Sequence, residues 1–473
     1  MLFPTVTFAI FFMIVLPTSW ALMRRQRAWQ AFILVASYVF YAWWDWRFIF
    51  LLAASTVGNH AAAVAIHRSR SARARKLLLS TDIAFNLGLL AYFKYAGFLV
   101  SSVENGLSRL GLPSSSWVLT VTLPIGISFF TFMAMSYVVD IYRRELEPAD
   151  FPRFAVYLSF FPHLVAGPIV RGSELLPQLE RPRDAREIDT SRAFFLILSG
   201  LFFKVVIANQ LATHIVDDVF AAPNRHSSLE VLTAVYGYAV QILADFMGYT
   251  NIAIGVALLL GFRFPQNFNS PYSATSLQDF WRRWHMTLSR WLRDYLYIGL
   301  GGNRKGKART YVNLALTMLL DGLWHGAAWT FVVWGGLHGG GLAVERLARD
   351  VLGRRWAPRE TAARRWIGRI VVFHFVCLGW IFFRASSLGA AGSVITRLFT
   401  AWGEPSPLVT TGVVLPIVVG IAANYVPARA LPATFSRFGR LPAVAQAACL
   451  AVGLMLVDTL GPQGVAPFIY FRF

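Results

Sequence analysis

Asp321 and His325 stand four positions apart in "LLDGLWHGAAWTFVVWGG", residues 319–336, a run that is otherwise apolar and aromatic. On a helix of about 3.6 residues per turn, Asn313, Thr317, Asp321 and His325 recur every four positions and form a polar row, drifting about 40° at each step. Ionisable groups in such surroundings are costly unless paired or wet. The row therefore marks either a functional cavity or a hydrogen-bonded stripe between helices. The chemistry open to the pair is general-base catalysis: Asp321 can accept a proton from one imidazole nitrogen and leave the other basic.

A second constellation lies in "DFWRRWHMTLSRWLRDYLYIGLGGNRKGKART", residues 279–310. At about 100° per residue, Trp281, Trp284, Leu288, Trp291, Leu292 and Tyr295 share one helical face, and Arg282, Arg283, Arg290, Arg293 and Asp294 take the other. This predicts one amphipathic helix at a membrane interface or within a funnel. His285 falls about 40° from Trp281, among the aromatics, which turns it inward. The arginines can meet lipid phosphate, and the glycines and cations of "GLGGNRKGKAR" can hold a phosphorylated ligand.

Other histidines read more plainly. His163 in "FFPHLVAGP" falls at a helix break, and His338 follows Gly335 and Gly336, where close helix packing explains it. His214 and Asp218 in "HIVDD" match a His-x-x-x-Asp spacing, but two fixed positions recur easily by chance. No Gly-x-Ser-x-Gly elbow, His-Glu-x-x-His site or Walker loop occurs, so no serine nucleophile, zinc site or ATP engine is expected.

The elements that must position these residues follow from composition. The 473 residues are 56% hydrophobic, 15% aromatic and only 14% charged, with a mean hydropathy of +0.52, which excludes a soluble enzyme as the default class. Apolar runs such as "LFPTVTFAIFFMIVLPTSWALM", "AFILVASYVFYAWW", "LLLSTDIAFNLGLLAYF" and "LPIVVGIAANYV" recur from end to end. At about 20 residues per span they predict an all-α polytopic membrane protein of roughly eleven to thirteen spanning or half-spanning helices. The net charge of +20 sits in short clusters between apolar runs, as in membrane loops, and does not indicate nucleic acid. Cys377 and Cys449, each in an apolar run, indicate neither a disulfide framework nor a thiolate metal site.

The first apolar run has Arg24, Arg25 and Arg27 after it and no basic residue ahead of it, so it reads as a retained helix with its N-terminus outside. Basic residues crowd alternate loops, again between Arg68 and Lys76, which agrees with that orientation. One membrane domain is expected over 1–473. Residues 1–140 form a scaffold of simple hairpins; 141–340 form the catalytic core, where helices are broken by Pro, Gly and polar residues; and 341–473 form C-terminal helices.

These residues resemble the membrane-bound O-acyltransferase superfamily, and in particular its bacterial members that serve exopolysaccharide and cell-wall acetylation, such as alginate acetylation. The resemblance rests on "ASYVFYAWW", "LPIGISFFTF", "FFPHLVAGPI", "FRFPQNFNSPY", "FWRRWHMTLSRWLRDYLYIGLGGNRKG", "LWHGAAWTFVVWGGLHG" and "PFIYFRF". It implies a funnel-shaped helical fold and capture of an acyl group, acetyl from acetyl-CoA, on the cytoplasmic side of the bacterial inner membrane. The acyl group then crosses to a separate periplasmic SGNH-like O-acetyltransferase, which places it on the exopolysaccharide.

By motif, His325 matches the family's essential histidine and His285 its second one. Asp321 is this chain's own addition, because relatives usually carry a small residue there. Relatives also carry "DFSGYSD" where this chain has "DFMGYTN", so Met247 and Asn251 replace a serine and an aspartate. The residues expected around substrate and donor are Trp284, Arg290, Asp294, Asn303, Arg304, Lys305, Asn313, Trp324 and Tyr249. Tryptophan N–H groups or His285 would donate to the developing oxyanion. Three other readings stay open: transfer of D-alanine or another acyl group to a wall polymer, a proton-coupled transporter or flippase, and a scaffold for the soluble transferase.

Overall fold

The computed structural model describes residues 1–112, 121–353, 361–427, 430–462 and 469, and every regular element among them is helical. Six helices are long and apolar enough to cross a bilayer: Phe48–Arg68, Ala72–Arg109, Thr190–Ala221, Ser228–Leu259, Ala362–Arg384 and Ala443–Leu460. Val6–Leu22 and Thr411–Tyr425 are shorter apolar helices. The chain is an all-α, multi-pass membrane protein. Val444, Val452 and Met455 on the last of the six are exposed, as befits a helix whose surroundings are lipid. The "PFIYFRF" ending lies, apart from Ile469, outside the described residues.

The chain divides into two compact units, 1–189 with 256–265, and 190–255 with 266–473. In the first, α1 (Val6–Leu22), α2 (Gln26–Ala42), α3 (Phe48–Arg68), α4 (Ala72–Leu90), α5 (Ala96–Arg109) and α6 (Ile127–Arg143) follow one another along the chain. Side-chain caps start several of them: Thr5 accepts from the backbone N–H of Phe8 and Ser71 from that of Ala74. Phe8, Phe11, Phe40 and Phe161 pack ring on ring. Asn59 and Asn86 exchange hydrogen bonds between α3 and α4, so these buried amides satisfy each other. His163 does lie at a break, in the short helix Phe161–Leu164, where Nε2 donates to the Tyr157 carbonyl at 2.9 Å.

The second unit holds the long helix α7 (Ser228–Leu259), two short helices α8 (Leu277–Arg283) and α9 (Met286–Trp291), then α10 (Lys307–His325), α11 (Trp329–Leu352) and α12 (Ala362–Arg384). The hairpin of α10 and α11 depends on absent side chains. A Cβ on Gly322 would stand 2.3 Å from the Phe331 carbonyl oxygen, and one on Gly335 would stand 2.3 Å from that of Met318. Those approaches carry α10 past α11 almost backbone to backbone and bring His325 beneath Trp334.

Two expectations are corrected here. The wheel over 279–310 assumed one helix, but the chain breaks at Trp284 and His285, and a π-helical stretch, Leu292–Tyr297, follows α9. The inside and outside assignments survive the break in part: Trp281, Trp284, Leu288, Trp291 and Leu292 are buried and Arg282 and Arg293 exposed, while Arg283, Arg290, Asp294 and Tyr295 are half-buried. Tertiary hydrogen bonds to Asn267, described below, are worth more than continuing the helix through His285. The helix that carries the polar row does not run on through 319–336: it stops at His325, because Gly326 turns extended and the Phe331 ring fills the space where its Cβ would be.

Candidate active site

The polar row on α10 is real and divides by task. Asn313, Thr317, Asp321 and His325 are all buried. Asn313 donates from Nδ2 to the Gly302 carbonyl at 2.9 Å, which ties the glycine-rich turn to the helix. Thr317 donates from Oγ1 to the Asn313 carbonyl at 2.7 Å. Half the row is therefore structural, as the stripe reading required. Asp321 and His325 face each other instead: Oδ1 of Asp321 lies 3.6 Å from Nε2 of His325, and neither carboxylate oxygen finds a hydrogen bond among the described residues.

His325 is the last residue of α10 and is walled by aromatic rings. Trp324 and Trp334 each stand 5.1 Å away, centroid to centroid, and Phe383 stands 5.3 Å away. Phe383 comes from α12, beyond the 141–340 segment expected to hold the core. Nothing in its local sequence distinguishes it from Phe382 beside it in "WIFFR". The rings exclude water from the pair, so any charge that develops there is weakly screened.

His285 reaches the same place from the break between α8 and α9. Its backbone is left-handed, φ 40° and ψ 53°, one of three such non-glycine residues among those described. Three contacts to Asn267 hold it. The Met286 N–H donates to the Asn267 carbonyl at 2.8 Å, and Asn267 Oδ1 accepts from the Thr287 N–H at 3.2 Å and the Thr287 hydroxyl at 2.9 Å. The same Oδ1 lies 3.2 Å from His285 Nδ1. A backbone N–H can only donate, so its partner on Asn267 is the oxygen, and His285 Nδ1 must carry a proton. In the neutral ring that makes Nε2 the acceptor. Nε2 is buried with no hydrogen-bond partner among the described residues, and the ring lies 6.4 Å from that of His325. Phe246 of α7 packs edge-on against it at 4.6 Å. Asn267 was not singled out in the sequence, although it stands inside "FRFPQNFNSPY".

The remaining expected residues fall in two places. Trp284 and Trp324 are buried at the site; Trp324 lies 6.1 Å from His285, and Trp284 packs on Trp380 at 4.9 Å. Tyr249 is buried on α7, one turn beyond Asp245. Arg290 is half-buried on α9, and Asp294 pairs with Arg293 at 2.6 Å. Asn303, Arg304 and Lys305 are exposed in a turn that Gly301, Gly302 and Gly306 shape with positive φ. That turn precedes α10 and His325 ends it. Asn313, which ties the turn to the helix, stands about 18 Å before His325 at 1.5 Å per residue. His214 is exposed, with Nδ1 donating to the Gln210 carbonyl at 2.9 Å.

Residues 113–388 match the membrane-bound O-acyltransferase family model, more than half of the chain. A Pseudomonas aeruginosa protein named "Probable alginate O-acetylase AlgI" is 40% identical over 83% of this chain and 74% of its own length. A Pseudomonas putida protein of the same name is 37% identical over 95% of this chain and 96% of its own. A Helicobacter pylori protein named "Peptidoglycan O-acetyltransferase" is 36% identical over 77% and 73% respectively. The matched segment contains both buried histidines, and with the aromatic wall and the helical membrane architecture it places the chain in the membrane-bound O-acyltransferase family, as an acyltransferase enzyme.

Proposed function

We propose that this chain takes an acetyl group from a cytoplasmic thioester, acetyl-CoA, and passes it across the bacterial inner membrane for O-acetylation of an exopolysaccharide of the alginate kind. The observation that carries the reading is the buried pair of imidazoles, His285 and His325, 6.4 Å apart inside an aromatic wall. His325 removes the proton from the acceptor hydroxyl as that oxygen attacks the thioester carbonyl. The C–S bond breaks, the ester C–O bond forms, and the thiolate leaves with the proton that His325 returns. Asp321, facing Nε2, holds the ring so that Nδ1 presents the lone pair.

With its tautomer set by Asn267, His285 presents an acceptor at Nε2 and orients a hydroxyl or amide of donor or acceptor. The Trp324 N–H donates to the developing oxyanion in this reading. Arg290, Asn303, Arg304 and Lys305 meet the donor's phosphates, with the donor's long arm reaching along α10.

The basic connections at Arg24–Arg27 and Arg68–Lys76 support an N-terminus outside the cell, because each follows an odd-numbered helix. A periplasmic SGNH-like transferase completes the route as partner. The acetyl-named relatives favour acetyl over D-alanine as cargo. A proton-relay transporter is disfavoured, because Asn313 and Thr317 spend their hydrogen bonds on backbone carbonyls and interrupt the row.

The test is purified protein in proteoliposomes with acetyl-labelled CoA, wild type against His325→Ala. Release of CoA that depends on His325 supports the reading; equal release by both proteins removes it.

A further inference from the structure

Beside His325, on the far side from the basic turn, is a cavity of about 300 Å³ lined by Gln241, Ala328, Phe331, Arg384 and Ile469, among others. Ala327 and Ala328 of its wall immediately follow the helix that His325 ends, and Phe331 packs on Phe383, which touches His325. The cavity is built to take a polar group. Gln241 is 6% exposed, and its Oε1 has no hydrogen-bond partner among the described residues, so it needs a donor such as a hydroxyl.

One wall comes from far along the chain. Asp245, a helical turn after Gln241 on α7, accepts at Oδ2 from the backbone N–H of Ile469 at 2.9 Å, 224 residues away. Its other oxygen is paired with Lys204, which stands on the π-helical stretch Phe202–Ala208. Both side chains are buried. A buried ion pair is weak evidence for stability and is retained where it fixes an arrangement. Here the lysine holds one carboxylate oxygen and so aims the other, which accepts a backbone N–H that a membrane interior would otherwise leave unsatisfied.

We infer that the Lys204–Asp245 pair is a positioning device that docks Ile469 as a wall of the hydroxyl-acceptor cavity beside His325, with Gln241 Oε1 as the group that receives the acceptor's hydroxyl. Assigning the cavity to the acceptor rests on the proposed function, since the phosphate-binding turn is tied to α10 at Asn313, well before His325. The docking itself does not rest on it.

Thiol labelling tests the docking without reference to catalysis. In full-length protein carrying Cys449→Ser and Ala328→Cys, the reaction of the introduced thiol with N-ethylmaleimide is followed in proteoliposomes. Lys204→Leu/Asp245→Leu removes both charges together, so no unpaired ion is left buried. Ile469→Ala opens the same wall and leaves the pair intact. Both backgrounds should label at least tenfold faster than the parent; unchanged rates in both overturn the docking. Gln241→Leu in the otherwise native chain should then raise KM for the acceptor at least tenfold. An unchanged acceptor KM overturns the assignment of the cavity, and does so whether or not His325 proves to be the base.

Discussion

Asn267 holds His285 by ring and by backbone at once: its Oδ1 lies 3.2 Å from Nδ1 of His285, and its carbonyl accepts from the N–H of Met286 next along the chain at 2.8 Å. One residue thereby pays for the left-handed backbone at His285 and sets which imidazole nitrogen carries the proton. Asn267→Leu keeps the volume and removes the side-chain acceptor for both the ring and Thr287. Thermal unfolding in detergent should show a loss of about 1–3 kcal/mol, the cost of stranding buried donors. Acetyl transfer should fall further than the folded fraction does, and activity that merely tracks the folded fraction would reduce Asn267 to a structural role.

On the proposed mechanism, loss of His325 is a larger effect. His325→Ala should lower acetyl transfer by about 10²–10⁴, the usual worth of a positioned general base, and leave the elution profile of the purified protein intact. Full activity in a folded variant would move the chemistry away from α10.

Asp321→Asn keeps size and shape but replaces the carboxylate facing His325 Nε2 with an amide that can face the ring either way. The turnover number should fall about 10–100-fold with the KM for acetyl-CoA unchanged, because a group acting through the base does not touch the donor's phosphates. A rise in KM at constant turnover would instead make Asp321 part of the donor site.

The exposed turn before α10 predicts the opposite division. Arg304→Gln with Lys305→Gln should raise the KM for acetyl-CoA severalfold, about 5–30-fold, and leave the turnover number nearly unchanged, since the turn is tied to α10 at Asn313, about 18 Å along the helix from His325. Dephospho-CoA esters should be less sensitive to the double change, and equal sensitivity would count against phosphate recognition at this turn.

Gly322→Ala tests the hairpin that sets the depth of His325. The new Cβ would meet the Phe331 carbonyl oxygen at 2.3 Å, a backbone atom that cannot swing aside. Destabilisation of about 1–3 kcal/mol is expected from overpacking, read as a lower midpoint of thermal unfolding. Gly340→Ala on α11, whose added Cβ would meet nothing within 4 Å, is the control that should leave the midpoint in place.

The sequence by itself determined the membrane class, because hydropathy is a sum over local residues and needs no partner to be read. It also determined the polar row on α10, since a period of four on a continuous helix fixes a face before anything packs against it. The wheel over 279–310 failed at one residue for the same reason: it assumes an unbroken helix. His285 leaves helical space only because Asn267, 18 positions earlier, makes four hydrogen bonds to residues 285–287. No local pattern carries that information.

Tertiary structure alone decided which members of the row are structural, by giving Asn313 the Gly302 carbonyl and leaving Asp321 beside His325. It brought Phe383 and Ile469 to the site from beyond the expected core, as packing joins residues by distance in space and not along the chain. It also fixed the tautomer of His285, which depends on a backbone N–H that only the folded chain can place.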